Sequence, residues 1–398
     1  MSDTSATRGG PLEGVLVVDI SRALAGPHAT MMLGDLGARV IKVEAPGRGD
    51  DTRSWGPPFV GPPGAPESTY FLACNRNKES ISLDLKDESD REVLRDLLGR
   101  ADVLVENFRP GTLDRLGFDP HTLGELNPGL VVLSISGFGH DGPEGPRPGY
   151  DQIAQGEAGL MSLTGSGPDD PQRVGVAVAD VLAGMNGALG VVAALHERTR
   201  TGRGQMVRTS LLASVVGVHA FEGTRWTVAG EVGQARGNHH PSIAPYGLFR
   251  TADGSVQVAC GSEALWRTFC RTVGLDAEAE GLSTNRERVE NHSLLVSTVE
   301  EALVDLTSAQ TLERLTAAGV PAGRVRSIDQ VYDSPQARSQ GLVVSVDHPV
   351  LGPTELPGPP LRFLDFEGRE QTLTAHVAPP TLGQHDGAVR AWLAESPR

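Results

Sequence analysis

Asp180 is the residue whose surroundings raise the sharpest chemical question. The stretch RVGVAVADVLAGMNGALG, from Arg173 to Gly190, sets this single acid among small and apolar residues, where an ionised carboxylate loses its water unless other groups satisfy it. One reading is an N-cap, because an Asp just ahead of a helical run accepts backbone N–H bonds that are otherwise orphaned. The other is a nucleophile, kept ionised by helix-end N–H groups and the helix macrodipole, with room for a bulky substrate beside the Ala and Gly residues. The two roles are compatible. A second group is basic. NRNKES (75–80) and VENFRPGTLDRLGF (105–118) put Lys78, Arg109 and Arg115 close to predicted strand ends, where open α/β sheets bind ligands. These cations are either a local phosphate site or ordinary solvated side chains, and spacing alone favours the second. His239 and His240 are a lone pair, and Cys74, Cys260 and Cys270 show no CxxC spacing, so no metal site is expected.

The elements that must position these residues follow from periodicity. GVLVVDIS (14–21) reads as a buried strand, AGPHATMMLGDLG as a helix with Pro27 in its first turn, and ARVIKVEAP as the next strand, which makes a βαβ unit. SISLDL, the helical KDESDREVLRDLLGR and the strand ADVLVEN repeat the pattern, and GLVVLSISGFG adds a strand. The expectation is a Rossmann-like, doubly wound parallel sheet. An Ala/Gly-rich helix follows Asp180 to about Arg198. From Arg236 the pattern changes to a loop, a hairpin turning at Asp253-Gly254, and helices from Glu263 to about Ala318. A large α/β domain over 1–220, a smaller α+β domain over 236–325 and a C-terminal segment, 326–398, returning to the first domain are therefore expected.

Several function classes are excluded. DISRALAGPHA stands where a dinucleotide fold needs GxGxxG straight after its first strand, which argues against a nicotinamide enzyme; Glu44, at the second strand's end, then reads as a solvated strand end. GxxxxGK[ST], GxSxG and HExxH do not occur. The formal charge of −15 over 398 residues argues against a broad nucleic-acid footprint. Three cysteines fit a reducing compartment, and the polar start MSDTSATRGGPLEG lacks a secretory h-region, so a cytoplasmic protein is expected. The apolar stretch Val174–Leu195 holds Asp180, Asn186 and four glycines and reads as buried rather than membrane-spanning.

Taken together, SRALAGPHATMMLGDLGARVIKVEAPGRGDDTRSW, NRNKESISLDLK, VENFRPGTLDRLGF, GYDQIAQGEAGLMSLTG, VGVAVADVLAGM and TGRGQMVRTSLL closely resemble the family III CoA-transferases, a group that includes formyl-CoA transferase, carnitine CoA-transferase and α-methylacyl-CoA racemase. The resemblance runs from about Leu12 to TLGQHDGAVRAWL near the C-terminus. It implies a large domain built from both chain ends, a small central domain and an interlocked homodimer. It implies that Asp180 is the catalytic nucleophile, forming a covalent aspartyl intermediate as CoA passes from an acyl-CoA donor to a carboxylic acid. Coenzyme A and acyl-CoA are then substrates, with no metal or other cofactor. The implied CoA contacts are Leu24, Ala25, Asn75, Arg76, Asn77, Lys78, Asn107, Phe108, Arg109, Arg115, Tyr150 and Asp151, with basic side chains meeting the CoA phosphates. Arg236, His239 and His240 form the implied substrate loop. Leu24, Ala45 and the loop GNHHPSIAPYG depart from the formyl-CoA transferase pattern, which points away from oxalate or formate and towards succinyl-CoA and other dicarboxylic acids. The alternatives are an α-methylacyl-CoA racemase and a non-catalytic CoA-binding protein. The first needs an acid/base pair across the α-carbon, and Tyr150 stands where the racemases place a histidine.

Overall fold

The computed structural model describes residues 9–395, so the first eight residues, on which the absence of a leader was partly read, lie outside the described residues. Two compact units are formed, one of residues 9–160, 174–227 and 335–395, the other of 161–173 and 228–334. Residues 161–173, expected with the large unit, group instead with the small one.

The large unit is built on six parallel strands, β1 (Leu16–Asp19), β2 (Arg39–Glu44), β3 (Lys78–Ser82), β4 (Val103–Glu106), β5 (Val131–Ser136) and β6 (Met206–Ser210), in the order β3-β2-β1-β4-β5-β6. Each neighbouring pair is parallel. Side chains alternate between faces along a strand. Val17, Val103, Val105 and Leu133 therefore pack with Ala29 and Leu33 of α1 (Ala25–Asp35) and Ala183, Ala188 and Val191 of α5 (Val178–Thr201). Their neighbours Val18, Leu104 and Val132 pack on the other face with Leu94, Leu97 and Leu98 of α3 (Glu88–Leu98). Helices on both faces explain why the strands read as continuous apolar runs. Between β2 and β3 lies α2 (Thr69–Cys74), and between β5 and α5 lies α4 (Asp151–Glu157). Helix α5 is long and apolar enough to cross a membrane by length and composition, but one of its faces belongs to this core.

The small unit contains the expected hairpin, β7 (Tyr246–Thr251) against β8 (Gly254–Ala259), with the two-residue β9 (Ala322–Gly323) beside β8. Its core joins Phe249 and Val256 to Trp266 and Phe269 of α6 (Glu263–Val273), Val299 of α7 (His292–Leu303) and Leu315 of α8 (Ser308–Ala317). The chain then rejoins the large unit. It forms the hairpin of β10 (Val343–His348) and β11 (Gly352–Pro357) and ends in α9 (Asp386–Glu395).

That return explains the NRNK segment. Asn77, at φ +63°, donates its N–H to the Val377 carbonyl at 2.9 Å and accepts the Val377 N–H on Oδ1 at 2.8 Å. Arg76 pairs with Asp35 and donates to the Pro357 carbonyl at 2.9 Å. Ser80 and Ser82 on the edge strand bond His385 and Asp386. An otherwise open sheet edge is thereby covered.

Candidate active site

In the strand order β3-β2-β1-β4-β5-β6 the direction of winding reverses between β1 and β4, and open α/β sheets bind ligands at that crevice, beyond the carboxyl ends of the strands. The loop after β1 and the loop after β4 meet there. Asn107 clamps Arg22 from both sides, accepting its N–H at 2.8 Å and donating to its carbonyl at 2.6 Å. The Arg22 guanidinium lies 5.4 Å from the Phe108 ring centroid. Glu106 holds the Phe108 N–H at 2.8 Å. Leu24, Ala25, Asn107, Phe108 and Arg109 are therefore brought together, and Arg115 follows on the short helix Thr112–Arg115. Arg109 and Arg115 are exposed.

Helix α1 starts at this crevice. Gly26 permits it, because a Cβ there would lie 2.3 Å from the Ser21 side chain. Leu24, its N-cap, offers no side-chain acceptor, so the positive end of the helix faces the crevice without a capping side chain. Helix α5 comes equally close. A Cβ on Gly184 would meet the Ala25 carbonyl oxygen at 2.7 Å, and Asp180 is one turn earlier on the same face.

Asp180 is not the N-cap. It is the third residue of α5, whose cap is Ala177, and the capping bond comes from another helix. Asp151, the first residue of α4, accepts the Ala179 N–H on Oδ1 at 2.8 Å. The buried Gln155 fixes it in place, donating to Asp151 Oδ2 at 2.8 Å and accepting the Val174 N–H at 2.8 Å. Freed of the cap, Asp180 is half-buried beside a second carboxylate. Burial, and then the charge of Asp151, push its carboxyl up to about 7, so the expectation that helix N–H groups hold it firmly ionised is corrected. Tyr70, on α2, belongs to no motif singled out above. Burial, and next the charge of Asp180, push this phenol up to about 12, which keeps it a hydrogen-bond donor at neutral pH.

Comparison with known proteins settles what this arrangement belongs to. The sequence profile of CoA-transferase family III matches residues 12–386. The chain belongs to that family. It is 38% identical to the human succinyl-CoA:glutarate CoA-transferase over 94% of this chain and 84% of the relative, and 36% identical to the acetyl-CoA:oxalate CoA-transferase of Acetobacter aceti over 98% of each. The crystal structure of a CAIB/BAIF family protein from Brucella suis superposes with a TM-score of 0.85 at 38% identity, covering 97% of this chain and 100% of the other. The protein is a CoA-transferase.

Within this family III chain, the site residues divide into those facing the crevice and those buried behind it. Tyr150, the N-cap residue of α4, is 68% exposed. Lys78 and Arg76 are not solvated side chains. Both are buried, Lys78 on Asp19 (3.0 Å), the Pro27 carbonyl (2.9 Å) and Asn75 Oδ1 (2.9 Å), Arg76 on Asp35, because a desolvated cation requires an internal partner. Asn75 is also turned inward, donating to the Phe71 carbonyl at 2.9 Å. Glu44 is not a solvated strand end either. It is buried, accepting two bonds from Arg53 at 2.7 Å and one from Ser80 at 2.6 Å.

In the small unit, Arg236 is exposed, while the His239 ring packs edge-on to Phe249 and His292, with centroids 5.4 and 4.5 Å away. His240 stacks on Tyr246, and its Nδ1 accepts the N–H groups of Ser242 and Ile243, each at 3.1 Å. His240 thus fixes the loop's shape, with its proton on Nε2.

Proposed function

We propose that this enzyme transfers CoA by covalent catalysis on Asp180, from a succinyl-CoA-type donor to a dicarboxylic acid. The Asp180 carboxylate attacks the thioester carbonyl, the C–S bond breaks, and an aspartyl anhydride and the CoA thiolate result. The thiolate attacks the aspartyl carbonyl, releasing the donor acid and leaving an aspartyl thioester. The acceptor carboxylate displaces CoA to form a second anhydride, and the thiolate then takes the acceptor's acyl group and regenerates Asp180. Dividing the exchange between two poorly reactive acids into such steps is the advantage of a covalent relay. The observation that carries this reading is the position of Asp180, in the first turn of α5 beside the crevice, with capping assigned to Asp151.

Leu24, Ala25, Asn107 and Phe108 would line the CoA channel, with Arg109 and Arg115 on the phosphates and Tyr150 against the thioester end. Asn75, Arg76, Asn77 and Lys78 serve as the frame behind it. The dicarboxylate class is supported by the name of the human relative, a succinyl-CoA:glutarate CoA-transferase.

We further propose a homodimer. Met185, Leu189 and Val192 form an exposed apolar stripe along α5, and Phe221 and Trp226 lie exposed, the kind of apolar surface that a protein–protein contact covers.

Incubation with acyl-CoA and hydroxylamine should convert Asp180 to its hydroxamate, read by peptide mass. Turnover of labelled CoA thioesters against a panel of carboxylic acids should favour dicarboxylates. An Asp180→Ala variant with near-normal turnover would refute the mechanism, and a concentration-dependent monomer in analytical ultracentrifugation would refute the tight dimer.

A further inference from the structure

Between Asp19 and Ala25 the chain leaves β1, turns and enters α1, and this turn is held from beneath by two buried lysines. Lys42, on β2, donates to the Ser21 carbonyl at 3.0 Å, and Lys78, on β3, donates to the Pro27 carbonyl at 2.9 Å. Each ammonium has a buried carboxylate, Asp50 for Lys42 at 2.9 Å and Asp19 for Lys78 at 3.0 Å. The carboxylates also grip the turn. Asp50 accepts the Ala23 N–H on Oδ1 at 3.2 Å, and Asp19 accepts the Ser21 N–H at 3.0 Å and the Thr30 hydroxyl at 2.7 Å. Between these grips Ala23 is held at φ +65°, a conformation that L-residues other than Asn and Asp seldom adopt.

We infer that Lys42 and Asp50 are positioning residues for CoA transfer, fixing the left-handed turn at Ala23 so that Leu24 and the α1 N-terminus face the crevice. The inference rests on the reading of that crevice as the thioester site. Two features of the pair favour this role over a purely structural one. A buried ion pair is weak evidence for stability, since apolar replacement of both partners is often neutral for the fold. Moreover, both members spend a bond on the same short loop, Lys42 on Ser21 and Asp50 on Ala23. Asp50 is itself anchored outward, its N–H donating to Glu44 Oε2 at 3.0 Å, while Glu44 is tied through Arg53 to the Pro380 carbonyl at 3.0 Å. The turn is therefore fixed to the sheet and to the returning C-terminal segment together.

The test uses the full chain and an acyl-CoA with succinate or glutarate as acceptor. The double substitution Lys42→Met/Asp50→Leu removes both charges together, so neither is left unpaired. It should remain folded by circular dichroism while kcat/KM for acyl-CoA falls about 100-fold, the loss typical of a misplacement of about 1 Å in a site. Ala23→Val touches no buried charge but opposes the left-handed turn, and should reproduce the kinetic defect with little change in Tm. Ala23→Gly, which accepts that φ freely, should stay within about threefold of the parent. A folded double variant with parental kinetics, or Ala23→Val indistinguishable from Ala23→Gly, would overturn the inference; if the double variant does not fold, the Ala23 pair decides. Failure of the unsubstituted enzyme to transfer CoA would instead overturn the reading of the crevice.

Discussion

Acylation should switch on as the pH rises through 7, and the titrating group should be Asp180. Burial and the neighbouring Asp151 charge lift its carboxyl from 3.8 to about 7. Only the carboxylate can attack a thioester, so kcat/KM for acyl-CoA should track the ionised fraction, about one-tenth one pH unit below the midpoint and about nine-tenths one unit above it. The same perturbation predicts stability. Between the unfolded and folded pKa values the folded chain holds a proton that the unfolded chain has released, so stability falls as pH rises, by at most about 1.4 kcal/mol per pH unit. Over roughly 3 units that gives an upper bound of about 4 kcal/mol, which partial solvent contact reduces to about 1–3 kcal/mol. The penalty is absent below pH 3.8 and complete above about 7. Asp180→Asn should therefore be inactive yet more stable than the parent, with a gain near zero at acid pH that grows towards pH 8. Asp151→Asn keeps an oxygen for the Ala179 N–H but deletes the charge, and should move the kinetic midpoint down. Single-turnover acylation from pH 5.5 to 8.5 and denaturant melts across the same range measure both effects. A flat rate profile, or an Asp180→Asn protein less stable than the parent at pH 8, would refute the reasoning.

Gly184→Val places a Cβ 2.7 Å from the Ala25 carbonyl; it should cost about 1–3 kcal/mol and, by lifting α5 and Asp180 off α1, reduce kcat about 100-fold in steady-state assays. Arg109→Ala and Arg115→Ala should each raise the acyl-CoA KM roughly tenfold with kcat nearly unchanged, as expected for charge-assisted phosphate bonds; unchanged KM values would remove both from the CoA site. In D₂O, a chiral 2-methylacyl-CoA should show no α-proton exchange above background, because Tyr150 offers a hydroxyl where racemisation needs an imidazole base opposite Asp180; exchange requiring both Tyr150 and Asp180 would favour racemisation.

The alternation of βα signals was enough to anticipate the parallel sheet, because each strand is a short apolar run bounded by turn residues and each helix has its own period. Leu24, Asn107 and Phe108 were named through the family resemblance, not through any local pattern of their own. What could not be read was direction. Lys42 in RVIKVE and Lys78 in NRNKES look like surface cations, and no local pattern shows that their partners, Asp50 and Asp19, lie buried 8 and 59 residues away. Glu44 was misjudged for the same reason, its partner Arg53 lying nine residues on in a short 3-10 helix, Asp51–Ser54. Burial of a charge depends on a partner supplied by the fold, whereas burial of a valine depends on its own strand.

Asp180 shows how this limit bears on function. From sequence, the carboxylate ahead of an apolar helix was given two compatible jobs, cap and nucleophile. The structure removes the first, with Asp151 bonding the Ala179 N–H and Asp180 one residue further into the helix. That removal has a chemical consequence. A capping carboxylate spends a lone pair on a backbone N–H that stabilises its charge and dulls its reactivity, whereas Asp180 is left partly desolvated beside a like charge, which raises its basicity to about 7. Among carboxylates a more basic oxygen is a stronger nucleophile once ionised, and near neutral pH a useful fraction of Asp180 is ionised. The cost to stability is confined to one residue, and the cap it would have supplied is made good from α4. Gln155, which holds Asp151 by its free oxygen and ties down the Val174 N–H, keeps the two acids from exchanging roles.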